Sequence, residues 1–196
     1  QLLKETNLDD EQDVCVKRID KGAHRLKTLI EDVLLVVQGE TGALKPKIGQ
    51  IDCSSFHIAI SNDQNQLADQ KGLKTILRWI DKRIICDQQL IEQVFTRLIH
   101  NAIKFAEENS QIVVAASLIQ PHRVQFSVTN RGIGISANVI EKIMKPFFLD
   151  EDVMNHSSGM GLGLTICQTI LKAHSSSIHV ANVTGGVEVS FELPCI

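Results

Sequence analysis

Arg97-Leu98-Ile99-His100-Asn101-Ala102-Ile103-Lys104-Phe105 closes a strongly patterned segment. Counting back from it, Ile91, Val94, Phe95, Leu98, Ala102 and Phe105 keep helical spacing, so one face is apolar while Arg97, Asn101 and Lys104 share the other. Asp87 precedes the pattern, where its carboxylate can accept from the unpaired N–H groups of a first helical turn. Such a helix needs a layer to cover its apolar side. Downstream, Gln111 to Ile119 and Arg123 to Asn130 read as strands, and in the second Val124, Phe126 and Val128 alternate with Gln125, Ser127 and Thr129. That alternation gives a sheet with one buried face. A short helix near Asn138 to Met144, a polar loop, a helix from about Leu162 to Ala173 and a last hairpin around Thr184-Gly185-Gly186 complete the C-terminal half.

Upstream, Thr75 to Ile80 and Arg83 to Cys86 are two further strand candidates, and with only Asp81-Lys82 between them they read as a hairpin. A helix is expected before them, from about Ser54 to Gln70. Strands joined by short turns imply a largely antiparallel sheet with helices on one face, an α+β, two-layer α/β sandwich. Nearer the start the pattern differs. Val16, Ile19, Ala23, Leu26, Ile30, Val33 and Val37 recur at alternating steps of three and four, the seam of a long helix from about Asp10 to Gln38 that packs lengthwise on another helix. Gln1 to Thr6 reads as the end of a preceding helix, with Asp9 or Asp10 as the cap of the long one. Gly39, Gly42 and Pro46 are expected to stop it, which divides the chain into residues 1–45 and 46–196.

With 196 residues, 43% hydrophobic and 22% charged, the chain suits one domain of roughly 150 residues plus an appendage. Lys and Arg total 20 against 23 Asp and Glu without a basic run, so no nucleic-acid partner is expected. Val33-Leu34-Leu35-Val36-Val37, the longest apolar stretch, falls far short of the roughly 20 residues that span a bilayer, so no membrane contact is expected either. Five cysteines scattered without C-x-x-C fit a reducing, cytoplasmic setting better than a disulfide framework or a zinc site. A chain opening on Gln1 reads as a piece of something longer.

Two glycine clusters carry the chemical signal. Asn130-Arg131-Gly132-Ile133-Gly134-Ile135 ends a strand, and Ser158-Gly159-Met160-Gly161-Leu162-Gly163-Leu164 opens a helix. Neither is a P-loop, for no Gly-Lys-Ser/Thr follows. The second still suits an anion, because glycines admit close backbone approach and a helix start presents free N–H groups with a partial positive charge. Taken singly, each is equally a tight turn.

Their order is more specific. The helix ending at Phe105, the first glycine cluster, Lys145-Pro146-Phe147-Phe148 and the second cluster together resemble the N, G1, F and G2 boxes of the ATP-binding domain of sensor histidine kinases. Leu8-Asp9-Asp10-Glu11-Gln12 and Leu29-Ile30-Glu31-Asp32-Val33-Leu34 are similar to the second helix of that family's dimerisation and phosphotransfer hairpin. The resemblance implies the GHKL (Bergerat) fold with ATP and Mg²⁺ as cofactors. It places Asn101 on the Mg²⁺ that bridges the phosphates, Lys104 near those phosphates and Phe105 against the adenine. Further nucleotide contacts are implied for Asn130, Gly132, Gly134, Ile135, Phe147, Gly159, Gly161, Leu162 and Gly163. The residue types agree, since a neutral amide oxygen is a hard ligand suited to Mg²⁺. The implied enzyme is a homodimer through its hairpin that moves the γ-phosphoryl group of ATP to a histidine, for relay to an aspartate of a response regulator. That histidine is expected upstream of Gln1, because His24 lies on the second helix without the acidic neighbour and proline of an acceptor motif.

Four departures from the family pattern stand out. Asn130 replaces an aspartate that accepts from the adenine amino group, a loss of roughly 1–2 kcal/mol when a charged acceptor becomes neutral. Arg97 replaces a small amide or an acid. Leu149 to Ser158, which resembles the ATP lid, carries Asp150, Glu151 and Asp152, and Ser175-Ser176 replaces a glycine pair. They keep a second reading open, a pseudokinase that regulates through dimerisation with loose nucleotide affinity.

Overall fold

The computed structural model describes residues 9–57, 65–146, 148 and 161–196. Helix α1, Asp10–Glu40, is capped by Asp9, whose Oδ1 accepts from the Gln12 N–H at 2.8 Å while Gln12 Oε1 accepts from the Asp9 N–H at 3.2 Å. This reciprocal pair satisfies two donors that a helix start leaves open. Gly39 does not end the helix as expected. The helix runs on through Glu40, and the chain turns out of it at Gly42, φ +69°, a conformation that suits a residue without Cβ. Gly39 instead provides clearance, for a Cβ there would overlap Cγ2 of Thr169 on a later helix. The helix expected at Gln1 to Thr6 lies outside the described residues.

Among the described residues, the next elements are β1 (Gly49–Asp52), a 3₁₀ turn (Cys53–Phe56), α2 (Asn65–Gln70), β2 (Lys74–Arg78), β3 (Arg83–Cys86) and α3 (Gln88–Phe105). They continue with β4 (Gln111–Gln120), β5 (Arg123–Arg131), α4 (Ala137–Ile140), α5 (Gly163–Ala173), β6 (Ile178–Val183) and β7 (Gly186–Pro194). Five strands form one sheet in the order β2-β4-β5-β7-β6, parallel at β2-β4 and antiparallel elsewhere. The α+β sandwich therefore stands.

The hairpin expected between β2 and β3 does not form. Strand β2 pairs with β4, whereas β3 pairs with β1, Gly49 opposite Cys86, in a separate two-stranded sheet. Between the two strands Trp79 packs into an aromatic cluster, its ring centroid 6.1 Å from Phe95 and 6.4 Å from Phe126. Packing an indole there outweighs closing a two-residue turn, so the chain leaves one sheet at Trp79 and joins the other at Arg83. Of the helix expected over Ser54 to Gln70, the described residues show a 3₁₀ turn that buries Phe56 and the short α2, while residues 58–64 lie outside the described set.

The core fills the space between the sheet and helices α3 and α5. Helix α3 buries Ile91, Val94, Phe95, Leu98, Ile99, Ala102 and Ile103, and β5 turns Val124, Phe126, Val128 and Asn130 inward as one row. Phe56, Phe95, Phe126 and Phe191 are fully enclosed, each contributing roughly 1.5–3 kcal/mol by leaving water. Phe105 leaves the apolar face expected of it and is 47% exposed. The two helices run antiparallel, because the Asp87 N–H donates to His174 Nε2 at 3.0 Å while His174 Nδ1 donates to the Ile170 carbonyl at 2.8 Å. The end of α3 consequently meets the start of α5.

Helix α1 lies on this layer through Leu29, Asp32, Leu35 and Val36, while Ile19, Leu26, Ile30, Val33 and Val37 of its seam stay exposed. Among the described residues no helix is long and apolar enough to cross a membrane.

Candidate nucleotide site

The end of α3, the start of α5 and the end of β5 converge. Asn101 faces the first residue of α5, where a Cβ on Gly163 would lie 3.7 Å from Asn101 Nδ2 and 3.9 Å from Oδ1. A glycine there leaves the carboxamide open toward a helix start whose N–H groups have no intrahelical partner. Leu162 is buried and anchors that start in the core, and Gly161, φ +70°, makes the turn into it. Lys104 is half-buried one turn after Asn101, its Nζ 4.9 Å from the centroid of the Phe105 ring. Burial holds its pKa below the usual lysine range. An anion placed there offsets the cost of desolvating the ammonium.

On the sheet side, Asn130 is 7% exposed and donates from Nδ2 to the Arg131 carbonyl at 3.3 Å. Period-two alternation along β5 directs it under the helices, with Val124, Phe126 and Val128. The loop that follows is held at several points. A Cβ on Gly132 would come within 2.7 Å of the Phe105 carbonyl oxygen, so the loop closes onto the end of α3. Backbone bonds run from Glu107 N–H to the Arg131 carbonyl at 3.0 Å and from Gly132 N–H to the Gly185 carbonyl at 3.2 Å. Asn182 of β6 accepts from the Ile135 N–H and donates to the Ile135 carbonyl, both at 2.8 Å.

The structure thus gathers Asn101, Lys104, Phe105, Asn130, Gly132, Gly134, Ile135, Gly161, Leu162 and Gly163 around one end of the sandwich. Leu162 contributes backbone, since its side chain belongs to the core. Phe147, Gly159 and the acidic Asp150-Glu151-Asp152 lie outside the described residues. Asn182 escaped the sequence reading, its only hint being an asparagine within a strand. Arg97, expected on the same polar face as Asn101 and Lys104, turns elsewhere. Although one turn before Asn101, it reaches back to α1, with Nη2 2.5 Å from Asp32 Oδ1 and Nη1 3.4 Å from Oδ2. A buried carboxylate on α1 draws the guanidinium away from the glycines.

These residues fit a magnesium nucleotide. Asn101 offers one hard oxygen, Gly163 leaves space, and Lys104 offers a cation. Among the described residues no group of three or more His, Cys, Asp and Glu side chains could hold a metal, so the phosphates and water would complete the shell.

Residues 86–195 match the family described as histidine kinase-, DNA gyrase B- and HSP90-like ATPase, more than half of the chain, and the chain belongs to that family. It is similar to the autoinducer 2 sensor kinase/phosphatase LuxQ of Vibrio cholerae, 29% identical over 99% of this chain and 24% of the relative. It is also similar to the adaptive-response sensory kinase SasA of Crocosphaera subtropica, 31% identical over 86% of this chain and 45% of the relative. Among solved structures, full-length ShkA in complex with AMPPNP superposes with a TM-score of 0.85 at 26% identity, covering 99% of this chain and 41% of that one. The chain spans less than half the length of each of these proteins.

Proposed function

We propose that the chain is the ATP-binding core of a sensor histidine kinase that delivers the γ-phosphoryl group of ATP to a histidine outside these residues. The carrying observation is Asn101 set across from Gly163 at the junction of α3 and α5, with Lys104 one turn away. In this reading Mg²⁺ neutralises and orients the phosphates when bound. Asn101 ligates it, Lys104 adds a second positive charge, and the bare start of α5 receives phosphate oxygens on its N–H groups. Asn130 accepts from the base through its amide oxygen, with Phe105 against the ring. Phosphoryl transfer to an imidazole needs positioning and charge neutralisation rather than a base that activates water. The residues present supply those two things.

The same reading divides the chain at residues 45 and 46 into a part of the dimerisation hairpin and the ATP-binding domain. The exposed seam of α1 suits a homodimer, a response regulator is the onward partner, and the setting is cytoplasmic. That the relatives are sensor kinases supports this over the pseudokinase, as does Arg97 bonded to Asp32 outside the pocket.

Transfer from radiolabelled ATP to a separately supplied helical hairpin bearing an acceptor histidine tests the proposal. Acid-labile, base-stable label should appear on the hairpin with the unmodified chain and be lost with Asn101→Ala. No label on any hairpin from close relatives, under conditions where nucleotide binds, would contradict it.

A further inference from the structure

We propose that Lys71, in the turn after α2, is a positioning residue for the nucleotide site, an inference that rests on the functional reading above. Its ammonium donates to three carbonyl oxygens at the end of α3, those of Ile103 at 3.0 Å, Lys104 at 2.8 Å and Ala106 at 3.1 Å. The last carbonyls of a helix have no intrahelical donor and carry partial negative charge. Many helices answer them with a left-handed residue just past the end. Helix α3 does not, because Ala106 is extended at φ −68°, ψ 144°. One ammonium with three N–H groups takes that place, brought from a distant stretch of chain.

The turn holding Lys71 is itself fastened to the segment it grips. The Asn109 N–H donates to the Lys71 carbonyl at 2.7 Å, and the Lys74 N–H to the Ser110 carbonyl at 3.1 Å. Gly72 sits at φ +63°, and a Cβ there would come within 2.5 Å of Asn109 Oδ1. The gripped segment bears Lys104 and Phe105 and meets the glycine loop twice, through the Glu107–Arg131 bond and the contact of Phe105 with Gly132. Lys71 thereby sets the separation between Lys104, Phe105 and the loop that begins at Gly132. Its charge also offsets the negative helix end beside a site that receives a polyphosphate.

The test compares Lys71→Met and Lys71→Arg in the full chain with Ser176→Ala, which removes a bond to the Glu192 carbonyl at the opposite end of α5. Mg·ADP affinity is read by calorimetry and amide exchange by mass spectrometry. Lys71→Met should weaken Mg·ADP about tenfold and speed exchange over residues 103–109 and 131–134. Lys71→Arg should restore much of both, and Ser176→Ala should change neither. If Lys71→Met does not fold, Lys71→Gln carries the same comparison, since it keeps N–H donors without the charge. Unchanged affinity in the folded variant, or unchanged exchange at the glycine loop, would overturn the proposal. Failure of the unmodified chain to bind Mg·ADP would instead refute the functional reading and the positioning role with it.

Discussion

Removing Asp32 should uncouple α1 from the ATP-binding layer. The Asp32 and Arg97 side chains are only 10% and 22% exposed, and two of their N–O contacts fall at 2.5 and 3.4 Å. Breaking one partner of a fully buried pair costs about 3–5 kcal/mol, because the other charge is left without compensation. Arg97 lies nearer the surface and can lean toward water, so about 2–3 kcal/mol is expected for Asp32→Ala. Replacing both by apolar residues of similar volume, Asp32→Leu with Arg97→Met, should come within about 1 kcal/mol of the unmodified chain, since neither charge then needs solvation. A double-mutant cycle in urea built from Asp32→Leu and Arg97→Met should give a coupling of at least about 2 kcal/mol. If α1 releases before the rest unfolds, the loss appears as an early transition reported by faster amide exchange over residues 29–39. Additive single substitutions, each within about 0.5 kcal/mol of the unmodified chain, would mean the pair behaves as an ordinary surface contact and does not hold the helix.

Asn130→Asp should tighten Mg·ADP about five- to thirty-fold while leaving inorganic tripolyphosphate affinity unchanged, because only the base gains a charged acceptor; equal ADP affinity would remove Asn130 from base recognition. Ser175, at φ +56°, occupies a conformation that costs a residue with Cβ about 1–2 kcal/mol. Ser175→Gly should therefore raise stability by about 0.5–1 kcal/mol after the entropy glycine adds to the unfolded chain, and a lower melting temperature would count against that strain. Burial pushes the Cys53 thiol up to about 11 and those of Cys86 and Cys167 up to about 12, so thiolate is scarce near pH 8. A thiol reagent should find only exposed Cys15 quickly and all five cysteines after denaturation; rapid native labelling of Cys167 would show that α5 is not packed as described.

Local rules read much of this fold correctly. Asp9 and Asp87 both cap helices where expected, and the period of β5 directs Val124, Phe126, Val128 and Asn130 inward. The place of Asn101 and Lys104 on one polar helix face was legible because the opposite face is unmistakably apolar. The misreadings share one cause, which is competition from partners far along the chain. Thr75 to Ile80 and Arg83 to Cys86 look like a hairpin until Trp79 finds Phe95 and Phe126. Strand β1 has only four residues, and it is defined by pairing with β3 rather than by its own pattern. Arg97 departs from the family pattern in a way that only Asp32, on another helix, accounts for. Asn182 and Lys71 gave no periodic signal, since their partners are backbone atoms brought close by the finished fold.

Calorimetric titration of the unmodified chain with Mg·ADP, beside Asn101→Ala, tests the nucleotide site most directly. Saturable binding that weakens when Mg²⁺ is withheld should be seen, and in Asn101→Ala the Mg²⁺-dependent part should vanish while the melting temperature without nucleotide stays within a few degrees. No heat of binding at millimolar nucleotide, or full Mg²⁺-dependent affinity in Asn101→Ala, would contradict the assignment of this helix end to a magnesium nucleotide.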